Sequence, residues 1–333
     1  MVVAKAIFSH FLTFIMAIVM VCYPYAGFEK REIDNLQDDC RLTVEMISDT
    51  HFKEKEIFGW SFFNIALKNM SRAKCKIDGI IVDGDITNYA DEATLAKYYN
   101  TIKEKSPAPV ISVGGNHDIG HAGDKGKTDI TRQQALENFI RYRNDYFGTD
   151  SEKNYYSMKI NGYTFIVVGD EVLNGGEFDF PTISQEQFDF IEKELAEGTK
   201  NGKPVFVCCH WPIKNINGET IIWPGSGIDP IVRYNFPKIL EKYKNVFWIS
   251  GHMHSGIKDT EFAKITKLSN VETLNGVTYV NLPSFGLVNM FGYPFSGTGA
   301  QLEVYDNEVV IRPVNYLTDF WFKNSVFRIP IEK

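Results

Sequence analysis

Short runs that are apolar or, at Leu42–Ile47, alternately apolar and polar are interspersed with longer stretches of helical spacing through most of this chain. Leu42–Ile47, Gly79–Val82, Val110–Val113, Val205–Cys209 and Val246–Ile249 each end on Gly, Ser, Asp or His. That is the pattern of buried strands emptying into loops. Between them, Trp60–Met70, Asp91–Lys105, Thr131–Tyr146, Ser184–Glu197 and Pro230–Lys244 are predicted helices. Asp91 and Glu92 suit a positive first turn, and Ser184 opens a capping-box-like Ser-Gln-Glu-Gln. Tyr155–Ile160 and Tyr163–Val168 flank Asn161-Gly162, a hairpin signal. Three further strands are predicted at Val277–Leu282, Ala300–Tyr305 and Val309–Val314. Glu29 to Asp39 is polar and reads as an exposed lead-in. The Gly-rich, mixed-charge stretch Ile119 to Lys127 reads as a mobile loop. No internal repeat or long linker appears, so one α/β domain, 41–333, is expected after a lead-in at 27–40.

The first 26 residues differ in character. A single charge, Lys5, precedes the apolar run Phe11–Cys22, and a small residue, Ala26, stands where cleavage could fall. This is the shape of a secretory signal, and retention as a membrane anchor fits the same residues. Export is expected, secreted or membrane-anchored. Five cysteines are too few for a disulfide scaffold. Cys208 and Cys209, adjacent on a strand, point to opposite faces and read as packing residues, while Cys40 and Cys75 could pair in an oxidising compartment.

Composition adds bounds. Hydrophobic residues make up 44% and charged residues 23% of 333 positions, as in an ordinary globular protein. A net charge of −7 argues against a broad electrostatic grip on nucleic acid. It leaves room for a small anionic substrate, because bound metal ions would set the local field.

The candidate chemistry sits at the strand ends: Asp49 and His51, Asp85, Asn116 and His117, His210, then His252 and His254. Five of the seven histidines lie in these segments. Residues two apart on an extended segment face the same side, which aims Asp49 with His51, and His252 with His254, into one cavity. Imidazoles and carboxylates together suit borderline metals, and manganese, iron and zinc all remain open. Two acids, Asp83 and Asp85, compete at the end of the second strand, and neither is decided by its own stretch.

Asp49-Thr50-His51, Gly84-Asp85-Ile86-Thr87-Asn88, Gly115-Asn116-His117-Asp118, His210 and Gly251-His252-Met253-His254, in this order, resemble the calcineurin-like metallophosphoesterases. The resemblance runs from about Leu42 to Val314. It implies a four-layer α-β-β-α sandwich of two mixed sheets. It also implies two divalent or trivalent metal ions, one on Asp49, His51 and His254 and the other on Asn116, His210 and His252. Asp85 would bridge them and Asp83 would be a turn or supporting residue. The implied reaction is hydrolysis of a phosphomonoester or phosphodiester by in-line attack of a hydroxide held between metals about 3.5–4 Å apart. His117 would stabilise the phosphoryl group or protonate the leaving oxygen, with Asp118 either orienting it or forming the turn. Asn88 and His121 are further candidates near the substrate. The implied partner is a small phosphorylated compound, with membrane attachment through the N-terminus left open. A non-catalytic scaffold of the same fold is the alternative, and it would be favoured by missing ligands or a missing Asn-His pair. The segments Glu54–Trp60, Asn215–Gly227 and Ser284–Gly299 are expected to form the substrate-selecting rim.

Overall fold

The structure is a computed structural model that describes residues 27–31, 39–73, 76–123, 128–266 and 268–332. The expected signal or anchor, and Cys75 with its expected pairing to Cys40, lie outside these residues. Up to residue 198 the chain builds β1 (Phe28–Lys30), β2 (Leu42–Ile47), α1 (Phe58–Ser71), β3 (Gly79–Asp83), α2 (Glu92–Lys105), β4 (Val110–Val113), α3 (Arg132–Phe147), β5 (Tyr156–Ile160), β6 (Tyr163–Val167) and α4 (Gln185–Gly198). There follow β7 (Val205–Cys208), α5 (Glu219–Ile222), α6 (Phe236–Leu240), β8 (Val246–Ser250), α7 (Thr260–Thr266), β9 (Val271–Leu274) and β10 (Val277–Asn281). The last strands are β11 (Thr298–Val304), β12 (Glu308–Asn315), β13 (Phe320–Phe322) and β14 (Phe327–Pro330).

Two sheets result, ordered β1-β13-β12-β11-β2-β3-β4, with β14 on β12, and β5-β6-β7-β8-β10-β9. Between them Val44, Met46, Ile81 and Ile111 meet Phe165, Phe206, Ile249 and Val280. Strand alternation turns Ile80 and Val82 the other way, onto Phe63 and Leu67 of α1 and Tyr98 and Ile102 of α2. On the far face Ile166, Val207 and Trp248 pack against Ile191 and Leu195 of α4 and Phe236 and Leu240 of α6. This is the four-layer α-β-β-α sandwich of two mixed sheets that the resemblance implied. Cys208 joins the layer between the sheets and Cys209 the outer one, as alternation requires. Each large side chain so buried contributes about 1.5–3 kcal/mol.

Strands β2, β3 and β4 are parallel, as are β6, β7, β8 and β10. Ligands in open α/β sheets gather outside the carboxyl ends of such strands. The predicted site residues follow those ends. Loops of a few residues carry them, so the sheets fix their positions.

Three expectations change. The helix expected over Pro230–Lys244 shrinks to the five residues of α6. Pro237 fits only a first turn, where Asn235 caps the Lys238 N–H, and Asp229 accepts the amides of Ile231 and Val232 in a separate turn. The lead-in is not wholly exposed: β1 pairs with β13, and Phe28 and Arg31 are buried. Arg31 donates to Glu45, and its Nη2 lies 2.8 Å from Gln301 Oε1. Within the stretch read as a mobile loop, Ile119 to Ala122 are buried, and Arg132 Nε donates to the Gly120 carbonyl at 2.8 Å. Among the described residues no helix is long and apolar enough to cross a membrane.

Candidate metal centre

Two groups of donor atoms form where the strands end. Asp49, His51, Asp85 and His254 make one; Asp85, His210 and His252 make the other. Within each, the donor atoms lie within 4.8 Å of one another, and only Asp85 belongs to both. His51 Nε2 and His254 Nε2 are 3.1 Å apart, and His254 Nε2 is 3.1 Å from Asp49 Oδ1. His210 Nε2 stands 3.3 Å from Asp85 Oδ2, and His51 Nε2 is 3.6 Å from the same oxygen.

Surrounding groups aim these donors. Ser48 Oγ at 2.6 Å and the His252 amide at 3.1 Å occupy Asp49 Oδ2, leaving Oδ1 without a hydrogen bond. The His117 amide donates to Asp85 Oδ1 at 2.9 Å, which leaves Oδ2 toward the imidazoles. His210 Nδ1 lies 2.8 Å from the Asp83 carbonyl oxygen. A carbonyl can only accept, so Nδ1 carries the proton and Nε2 is the free ligand atom. Asn116 Nδ2 contacts His121 Nε2 at 3.3 Å, and Asn116 Oδ1 is buried without a partner.

The backbone is unusual at the same places. Asp49, His51, Asp85, His252 and His254 all have positive φ, between 46° and 67°. Non-glycine residues rarely adopt that conformation, and it clusters at functional sites. Glycine is required beside them. At Gly84, with φ of 81°, a Cβ would overlap the His210 ring, and at Gly115 it would overlap the Asp85 carboxylate.

Electrostatics follow from burial. Burial and the neighbouring His254 bring His51 down to about 3, and burial with His210 does the same for His252, so both rings are neutral and able to ligate. Burial alone would raise Asp49, but the His254 and His210 rings outweigh it and hold the carboxyl at about 2. Burial would likewise lower His210, yet Asp85 and Asp49 raise it to about 10. Unpartnered Asp49 Oδ1, Asn116 Oδ1 and His210 Nε2, with two imidazole nitrogens facing each other, are groups that cations would satisfy. The residues fit a binuclear metal site.

The sequence profile of the calcineurin-like phosphoesterases matches residues 42–256, a span that contains every predicted site residue. The chain belongs to that family. Calcineurin-like phosphoesterases are phosphoric ester hydrolases, and the fold neighbours agree with the assignment. The chain is similar to a dimetal phosphatase from Danio rerio, with a TM-score of 0.59, 14% identity, and coverage of 88% of this chain and 100% of that one. It is also similar to purple acid phosphatase PPD1 from seeds of yellow lupin (Lupinus luteus), with a TM-score of 0.56, 16% identity, and coverage of 87% and 53%. GAP50, the anchor in the inner membrane complex of Plasmodium, gives a TM-score of 0.53 at 14% identity, covering 88% of this chain and 90% of its own. At these identities the likeness is one of fold. No curated protein matches the chain.

Two predicted roles look different in the structure. Asp118 does not orient His117. Its carboxylate accepts the amides of Thr87, Ile86 and Gly115 at 2.7–3.1 Å, and it binds the loop after β3 to the loop after β4. His117 is instead oriented by the Asn88 carbonyl, 2.9 Å from Nδ1, so Asn88 acts through its backbone. Asp83 is fully buried with both carboxyl oxygens unpartnered, and burial holds it well above the usual carboxylate range. From the segments expected to form the rim, Trp223 lies 5.5 Å from and parallel to His252, and the Met290 amide donates to the His254 carbonyl. Sequence reasoning missed Phe178, which stacks on His121 at 3.9 Å, and Asn281, whose Nδ2 donates to the Gly251 carbonyl at 2.6 Å. The only advance signal for Phe178 was its Gly- and aromatic-rich surroundings; Asn281 gave none.

Proposed function

We propose that the chain hydrolyses the phosphoric ester of a small compound at two metal ions. One is held by Asp49, His51 and His254, the other by Asn116, His210 and His252, and Asp85 is shared. The observation that carries this reading is the membership of Asp85 in both donor groups. Bound metal ions supply Lewis acidity toward the phosphoryl oxygens and acidify water.

His117 lies outside both donor groups. Its ring centroid is 4.6 Å from that of His51 and 3.9 Å from that of His121. With Nδ1–H committed to the Asn88 carbonyl, Nε2 is the atom that takes up a second proton, and the imidazolium so formed gives it to the leaving oxygen. Asp118 is a positioning residue that holds the turn carrying Asn116 and His117. Half-exposed Phe178 and Trp223 stand against His121 and His252, and they supply apolar walls for the organic part of the ester. The full donor set and the intact Asn116-His117 pair speak against a scaffold that has lost catalysis. The apolar run after Lys5 supports export, secreted or anchored, which fractionation of the full-length chain would test.

Metal analysis should find about two ions per chain. The metal-loaded protein should cleave p-nitrophenyl phosphate or bis-p-nitrophenyl phosphate, and the faster of the two separates phosphatase from phosphodiesterase. An active protein indifferent to chelators would overturn the proposal.

A further inference from the structure

A cavity of about 280 Å³ lies between α3 and the edge strand β5, lined by residues that include Arg143, Phe147, Thr149, Ser151, Tyr156 and Met158. None of them belongs to the donor groups of the metal centre. Arg143 is 2% exposed, and its hydrogen bonding is poor for a buried guanidinium. Nη2 donates to Asn144 Oδ1 at 3.2 Å, Nη1 has no partner, and Cζ stands 5.0 Å from the centre of the Tyr156 ring.

No carboxylate among the described residues pairs with it; the groups acting on it are burial, which lowers it, and Tyr156 and Tyr99. The contrast within the molecule is sharp. Arg31 meets Glu45 and Arg312 meets Glu303, and both glutamates are fully buried. An enclosed charge without a counterion is costly, by several kcal/mol per ion, so a cation left this way beside an open cavity is a group awaiting an anion.

We propose that this cavity binds a small organic anion, with its acidic head on Arg143 and its apolar body against Phe147 and Met158. Ser151 offers a second contact. Its Oγ accepts the Lys153 amide at 3.2 Å, which leaves the hydroxyl proton to donate. The volume falls just below the roughly 300–1,000 Å³ of ordinary ligand pockets, so the ligand is the size of a substituted benzoate rather than a nucleotide or a peptide. Carboxylates and phosphonates share the required chemistry, and the two arms of the experiment distinguish them.

The test is isothermal titration calorimetry of the metal-loaded, full-length protein with benzoate and with phenylphosphonate. Each titration is repeated with inorganic phosphate present to occupy the metal centre. Saturable one-to-one binding that survives phosphate is expected from one anion or both. Arg143→Met should weaken it about 10- to 100-fold, the loss of a charge-assisted hydrogen bond. The same variant should raise the melting temperature of the unliganded protein, because it removes an uncompensated buried charge, an outcome a purely structural arginine would not give. Met158→Trp keeps the charge and fills the cavity, and it should abolish binding without lowering p-nitrophenyl phosphate turnover. Absence of saturable binding by both anions, or wild-type binding by either variant, would overturn the proposal.

Discussion

Replacing His117 by alanine separates proton donation from metal binding. The variant keeps the His117 amide, which donates to Asp85 Oδ1 at 2.9 Å, and it leaves every atom of both donor groups in place. Two metals should therefore remain, as read by elemental analysis. What goes is the ring whose Nδ1 is fixed by the Asn88 carbonyl at 2.9 Å. General-acid help is worth about 10²–10⁴ in rate, which is about 2.7–5.4 kcal/mol of barrier at 1.36 kcal/mol per decade. The loss must depend on the leaving group. p-Nitrophenolate departs readily without a proton, so its ester should lose near the low end, and an alkyl phosphate near the high end. The assay is kcat for both esters in wild type and His117→Ala at saturating metal. Equal losses for the two esters would show that His117 binds the phosphoryl group rather than protonating the leaving oxygen. Loss of metal would refute the separation altogether.

Three further outcomes follow from the packing. Gly115→Ala puts a Cβ into the Asp85 carboxylate, so metal content and turnover should both collapse while circular dichroism still reports the fold. Arg31→Met leaves the fully buried Glu45 without its cation, which costs about 3–5 kcal/mol and lowers the melting temperature by several degrees; Glu45→Leu on top of it should recover most of the loss. Lys258 is buried, and burial brings it down to about 7 from an ordinary value of 10.5. Between those values the unfolded chain binds more protons than the folded one, so this residue makes stability rise with pH from about 7 to 10. Lys258→Met should flatten that part of a stability-versus-pH curve measured by urea unfolding, and an unchanged slope would place the titration elsewhere.

How much of this was legible in the sequence depends on whether a feature repeats. Ile80, Ile81 and Val82 form a continuous apolar run because helices cover one face of β3 and the second sheet covers the other. That condition writes itself into β3, β4, β7 and β8, so these strands and the donors at their ends could be read directly. Strands such as β1 and β13 are three residues long, too short to show a period, and they exist because neighbours offer free edges. The Arg31–Glu45 pair joins positions 14 apart through a fold that composition cannot anticipate. Asp118 could not be decided between orienting His117 and forming the turn for a related reason. A carboxylate next to a histidine suggests an orienting partner, but its actual partners are three amides, two of them more than 30 residues away in the chain.

The backbone of the donors was the least legible feature, and it explains the supporting residues. Sparsely populated backbone conformations cost about 1–3 kcal/mol each, and five donors adopt a positive φ. Asp and His tolerate this region better than most non-glycine residues, yet five together still need support from their surroundings. The groups that hold the donors in place are ones a list of ligands omits: Ser48 on the Asp49 carboxylate, the Asp83 carbonyl on the His210 ring, Asn281 on the Gly251 carbonyl, and Asp118 across two loops. Their hydrogen bonds stiffen each turn and so lower the conformational entropy that metal binding would have to offset. By the same argument, substitutions at Ser48, Asn281 or Asp118 should weaken metal binding although none of these side chains belongs to a donor group.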